Sequence, residues 1–123
     1  MDAPVRVMIA DDSNDVAEVV RMALDFETDL KFVGRAATAD EVLPLVTEHR
    51  PDVLLLDLSL GTSNGMDLIG TLRSSSPETR ILIFSGYDDP DRIDEARARG
   101  ACGFVTKGAD IDHMLKVIRE SAR

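Results

Sequence analysis

Cysteine is nearly absent: Cys102 is the only one in 123 residues. A disulfide within the chain is thereby excluded, which fits a reducing cytoplasm. A lone cysteine of this kind is expected to pack as a small buried hydrophobe, not to serve as a catalytic thiol. Long apolar runs are missing too, so no stretch is long enough to cross a bilayer as a helix. The opening Met1-Asp2-Ala3-Pro4 has neither a basic nor an apolar stretch, and no signal peptide is expected. Basic residues are scarce, with 14 Lys and Arg against 23 Asp and Glu and a net charge of −9. This balance argues against nucleic-acid contact by this domain, since such a surface needs clustered cations to neutralise phosphates. It leaves open a separate DNA-binding domain outside the chain.

What is present is an alternation of apolar patterns, with no repeats, linkers or low-complexity segments. Hydrophobic residues make up 44% of the chain, and the length suits one domain, residues 1–123, with a real core. Val5–Ala10 reads as a strand, and Val16, Val19, Val20, Ala23 and Leu24 then follow helical spacing. Leu30, Phe32, Gly34 and Ala36 alternate with more polar neighbours, as on a half-exposed edge strand. Thr38-Ala39-Asp40-Glu41 has the form of a capping box opening a second helix, with a kink or irregular turn expected at Pro44. Val53–Leu56 and Ile81–Phe84 are unbroken apolar runs, as strands covered on both faces should be.

Met66, Ile69 and Leu72 mark a third helix. Asp89-Pro90 supplies an N-cap and a first-turn proline for a fourth, which Gly100 ends. The apolar stripe of that helix, Ile93 and Ala96, is thin and predicts weak docking. Gly103–Thr106 is a short fifth strand, and Ile111, Met114, Leu115 and Ile118 line a fifth helix. Five strand–helix units predict an α/β fold: a flavodoxin-like (βα)5 doubly wound parallel five-stranded sheet with strand order 2-1-3-4-5.

That order gives the motifs their meaning. Asp11 and Asp12, Asp57, Ser85 and Lys107 each follow one of four strands that would lie side by side. Residues just past the carboxyl ends of such strands meet in one crevice. Each alone is unremarkable: a lone serine or lysine after a strand is more often a turn or surface residue, and the acidic run Asp88, Asp89 and Asp91 reads as solvated surface. Their joint placement favours a site. Three carboxylates suit a hard divalent cation, Mg2+ or alternatively Mn2+. Asp12 and Asp57 are expected to ligate it with a backbone carbonyl near Ser59, and Asp11 to act through a water. Clustered carboxylates without a cation would repel one another. Asp57 can serve as a nucleophile forming an acyl phosphate, while Lys107, Ser85 and backbone amides after Asp57 neutralise or bond the phosphoryl oxygens. His49 and His113 fall in predicted helices away from the crevice.

With Ile9-Ala10-Asp11-Asp12-Ser13, Leu55-Leu56-Asp57-Leu58, Asn64-Gly65-Met66, Phe84-Ser85-Gly86 and Phe104-Val105-Thr106-Lys107, the chain resembles the receiver domain of bacterial two-component response regulators over nearly its whole length. The resemblance implies that Asp57 is phosphorylated by the phosphohistidine of a sensor histidine kinase. It implies a metal-binding role for Asp11 and Asp12, and a switch made of Ser85, Lys107 and Phe104. The fourth helix, fifth strand and fifth helix would then form the readout face, where two phosphorylated copies could also pair. Such a domain catalyses only its own phosphorylation and dephosphorylation.

Gly61 replaces a common proline. Gly108 after Lys107, together with Ala96–Ala101, resembles receivers attached to helix-turn-helix DNA-binding output domains, hence an expected role in transcription regulation. Ser59 and Tyr87 occupy positions where phosphoryl lifetime is often tuned.

Three other readings compete. A small aspartyl-phosphate hydrolase would carry a second acid where Ser59 stands. A nucleotide- or flavin-binding module would carry a Gly-, Ser- or Thr-rich loop where Asp11-Asp12 stands. A receiver reduced to protein interaction would lack some of the site residues.

Overall fold

The computed structural model describes residues 3–60, 65–86 and 89–122. Five parallel strands, β1 (Val5–Ala10), β2 (Leu30–Ala36), β3 (Val53–Leu56), β4 (Arg80–Ser85) and β5 (Gly103–Thr106), form one sheet in the order β2-β1-β3-β4-β5. Between and after them run α1 (Asn14–Asp25), α2 (Ala39–His49), α3 (Gly65–Ser75), α4 (Pro90–Arg99) and α5 (Ile111–Ser121). The flavodoxin-like order expected from the motifs is the observed one.

Alternation along the strands divides the core into two layers. Met8, Ala10, Leu54, Leu56, Ile81 and Ile83 point to the α2, α3 and α4 side. Val7, Ile9, Val53, Leu55, Leu82 and Phe84 point to the α1 and α5 side. Both faces are covered, which explains why β3 and β4 read as solid apolar runs.

β2 departs from simple alternation. Its pairing with β1 shifts between Val7↔Phe32 and Met8↔Gly34, so Val33 is an extra residue. Leu30 and Phe32 consequently join one layer while Val33 and Ala36 join the other. A bulge moves the remaining side chains to the opposite face, because side-chain direction repeats every two residues.

Helix termini follow local chemistry. The Ser13 hydroxyl accepts from the Val16 amide at the start of α1. The carboxylates of Asp89 and Asp110 cap α4 and α5 in the same way. The capping box expected at Thr38 is not formed: the Thr38 hydroxyl donates to the Glu41 carboxylate at 3.0 Å instead of accepting from the helix. α2 continues as one helix through Pro44, which lies on its exposed side. α4 buries Ala96 alone among its own residues, in keeping with its thin stripe. Cys102 is also a correction: it is exposed beside the edge strand β5, its Sγ 3.4 Å from the Ile81 carbonyl oxygen. Position at a sheet edge outweighs the usual burial of a thiol.

Candidate functional site

The sheet order carries the chemistry to one end. Asp11 and Asp12 follow β1, Asp57 follows β3, Ser85 ends β4 and Lys107 follows β5. Asp11 is fully buried and Asp57 nearly so, whereas Asp12, its immediate neighbour in sequence, is exposed. Each of the three offers a carboxylate oxygen, and those oxygens lie within 4.8 Å of one another.

Backbone amides hold two of these carboxylates in place. Ser13 N–H donates to Asp11 Oδ1 and Ser59 N–H donates to Asp57 Oδ1, each at 2.9 Å. The other oxygens face Lys107. Its Nζ donates to Asp57 Oδ2 at 3.0 Å and lies 2.6 Å from Asp11 Oδ2, although that second contact lacks a well-aligned hydrogen bond. Nζ also sits 5.7 Å from the centre of the Phe84 ring, within cation–π range. Burial alone would lower the lysine's pKa; its close contacts with the Asp11 and Asp57 carboxylates outweigh it and raise the pKa overall. Lys107 thus offsets the repulsion expected among the carboxylates.

Ser85 is buried at the end of β4, and its carbonyl accepts from the Lys107 amide at 2.8 Å. Phe104 is half-buried against the α3 and α4 layer, and with Leu58, Ser85 and Ile93 it borders a cavity of about 10 Å³. The backbone passes through Lys107-Gly108 without a cis peptide bond. Ser59 is exposed next to Asp57. Gly61, Tyr87 and Asp88 lie outside the described residues. His113 is exposed on α5, and His49 is half-buried at the end of α2, its imidazole beside Gly34 of β2.

The sequence reading passed over Arg35, the next-to-last residue of β2. Its Nε donates to the Asp11 carbonyl oxygen at 3.1 Å and its Nη1 to Asn14 Oδ1 at 2.6 Å. A lone arginine on an edge strand looks like surface charge; only the pairing of β2 with β1 brings it under the acidic loop.

A buried Asp11 Oδ2 without an aligned hydrogen bond, two further carboxylates beside it and an ammonium next to Asp57 form an oxygen-rich cradle suited to a hard divalent cation and an anion together. The model of the response regulator receiver domain matches residues 7–119. The chain belongs to that family. It is a signalling module of two-component response regulators.

The oxygen regulatory protein NreC of Staphylococcus haemolyticus is 35% identical over 94% of this chain and 54% of its own length. The chain thus spans about half the length of the curated relatives it matches. Among solved structures, the signal receiver domain of the response regulator NarL from Mycobacterium tuberculosis superposes with a TM-score of 0.91 at 31% identity, covering 98% of both chains. A response regulator from Burkholderia pseudomallei, solved with a phosphorylated aspartic acid, a calcium ion and citrate, gives 0.85 at 26% identity over 98% of this chain and 69% of its own. No helix among the described residues of this receiver is long and apolar enough to cross a membrane.

Proposed function

We propose that this receiver, residues 1–123, takes a phosphoryl group onto Asp57 from the phosphohistidine of a sensor histidine kinase. The observation that carries the reading is the meeting of Asp11, Asp12, Asp57 and Lys107 at one crevice, with Lys107 Nζ 3.0 Å from the acceptor carboxylate. In the transfer, an Asp57 carboxylate oxygen attacks phosphorus, the bond from phosphorus to imidazole nitrogen breaks, and its electron pair returns to the leaving imidazole. Asp11, Asp12, Asp57 and the Ser59 backbone carbonyl would hold Mg2+ or Mn2+. Bound there, the cation supplies charge neutralisation for a phosphoryl oxygen. The Lys107 ammonium neutralises a second oxygen, and the Ser85 hydroxyl donates to the acyl phosphate.

Drawing Ser85 and Lys107 toward the new charge alters the space beside Phe104, next to the small cavity of about 10 Å³ at Leu58 and Ile93. Inward rotation of Phe104 would shift the α4–β5–α5 face between two populations. The output is transcriptional: a DNA-binding domain in the part of the protein corresponding to the remainder of its relatives, with pairing of phosphorylated receivers as the intermediate event. The setting is the cytoplasm. The one covalent reaction is the receiver's own phosphorylation and its reversal.

The test is intact mass after incubation with Mg2+ and acetyl phosphate, with Asp57→Asn alongside. An alkali-labile phosphoryl adduct is expected on the parent and not on the variant. No adduct, with beryllofluoride also failing to bind, would overturn the reading.

A further inference from the structure

The loop from Asp11 to Asn14 carries two of the three clustered carboxylates, and it rests on the last two residues of β2. The Asp11 amide donates to the Ala36 carbonyl at 3.0 Å. Arg35 adds its fork, with Nε on the Asp11 carbonyl and Nη1 on the Asn14 side chain. Its third nitrogen, Nη2, is buried and has no hydrogen-bond partner. A solvent-facing surface arginine would keep that nitrogen hydrated. Burying an unbonded nitrogen is unfavourable, and the bonds to Asp11 and Asn14 are the contacts the guanidinium makes that can offset that cost.

We propose that Arg35 is a positioning residue for the divalent-cation site, holding the Asp11–Asn14 loop so that the exposed Asp12 carboxylate stays beside the buried Asp11 and Asp57. The inference rests on the metal reading above and goes beyond it, because Arg35 contacts the loop backbone and a neighbouring amide and none of the carboxylates. The planar fork is what matters: it spans a carbonyl and an amide oxygen three residues apart, which a lysine ammonium on a flexible stem cannot do in the same way. Groups that orient metal ligands from outside typically change affinity by about 10- to 100-fold when removed. A contact made through the backbone belongs at the lower end of that range.

Two roles for Arg35 predict opposite signs. As a positive charge near three carboxylates it would oppose a cation, and its removal would tighten binding. As a clamp, its removal loosens the loop and weakens binding. Calorimetric titration of Mg2+ into the purified chain separates them, using the parent, Arg35→Lys, Arg35→Gln and Asn14→Ala.

The expected result is Mg2+ affinity about tenfold weaker in both Arg35 variants, including the one that keeps the charge. A smaller loss is expected in Asn14→Ala, which removes one arm of the fork. Amide exchange at Ser13 and Asn14 should quicken in Arg35→Gln, and melting in chelator should show all the variants folded. Unchanged affinity in both Arg35 variants, or tighter binding in Arg35→Gln alone, would overturn the positioning role. A parent chain that binds no Mg2+ would overturn the metal reading itself, a different result from variants that match a parent that binds.

Discussion

In the crevice, Lys107 meets Asp11, Asp57 and the Phe84 ring at once. Removing its ammonium would leave two buried carboxylates facing one another. Without divalent cations, Lys107→Met is expected to lower stability by about 2 kcal/mol near neutral pH, since breaking a largely buried pair strands its partners. The pH dependence has a definite sign. The folded pKa of Lys107 is raised above its ordinary 10.5. The group binds its proton more tightly when folded, so its contribution is complete below that value and is lost as pH rises past it and through the folded pKa. Denaturant unfolding of parent and variant at a series of pH values checks this: the gap should hold steady through neutral pH and narrow above about 10.5. A gap that widens with alkali would contradict the ion-pair account.

At the scale of elements, α4 illustrates how a single residue ends a helix and sets its packing. Gly100 adopts φ +124°, a conformation that side chains disfavour, and its amide returns to the Ala96 and Arg97 carbonyls. A Cβ placed there would lie 2.6 Å from Arg73 Cγ. Arg73 cannot withdraw freely, because its guanidinium donates to the Pro77 carbonyl at 2.9 Å. Gly100→Ala is therefore expected to destabilise by about 1–3 kcal/mol through backbone strain and the clash on α3. Gly86→Ala is the matched control, since a Cβ there meets nothing within 4 Å. Equal midpoints for the two variants in urea would refute the argument. At the surface α4 also meets α3 through the exposed Arg99–Asp67 pair at 3.3 Å, a contact of small energetic weight.

For the whole molecule, two apolar layers sandwich one sheet, and the central strands contribute to both. Leu55 is fully buried in the α1 and α5 layer, while Val19 on α1 is 53% exposed. Leu55→Ala is expected to cost about 2–5 kcal/mol, from lost transfer energy and the cavity left behind. Val19→Ala should stay within about 0.5 kcal/mol. Thermal or denaturant unfolding of the two variants measures the contrast, and comparable losses would mean that α1 packs differently. Val19 and Met22 on α1, Phe26 just past its end and Ile111 on α5 form the exposed large hydrophobics among the described residues, none of them on α4 or β5. Apolar spacing alone would have turned Val19 inward with Val16 and Val20.

Five apolar strand patterns separated by helical spacings were enough to read the order of elements from the chain itself. Unbroken runs such as Val53–Leu56 marked central strands because a strand covered on both faces has no polar positions. The residues after strand ends named the crevice, since a parallel sheet sends every strand's carboxyl end the same way. Side-by-side residues of like chemistry were beyond that reading. Asp11 and Asp12 are the same amino acid, yet one is buried against Lys107 and the other exposed. The bulge at Val33, the exposure of Cys102 and the reach of Arg35 to the Asp11 loop also came from tertiary structure alone. Each depends on which strand lies beside which and on where the sheet stops. Such pairings join residues far apart in the chain, and no local pattern of spacing or propensity encodes them.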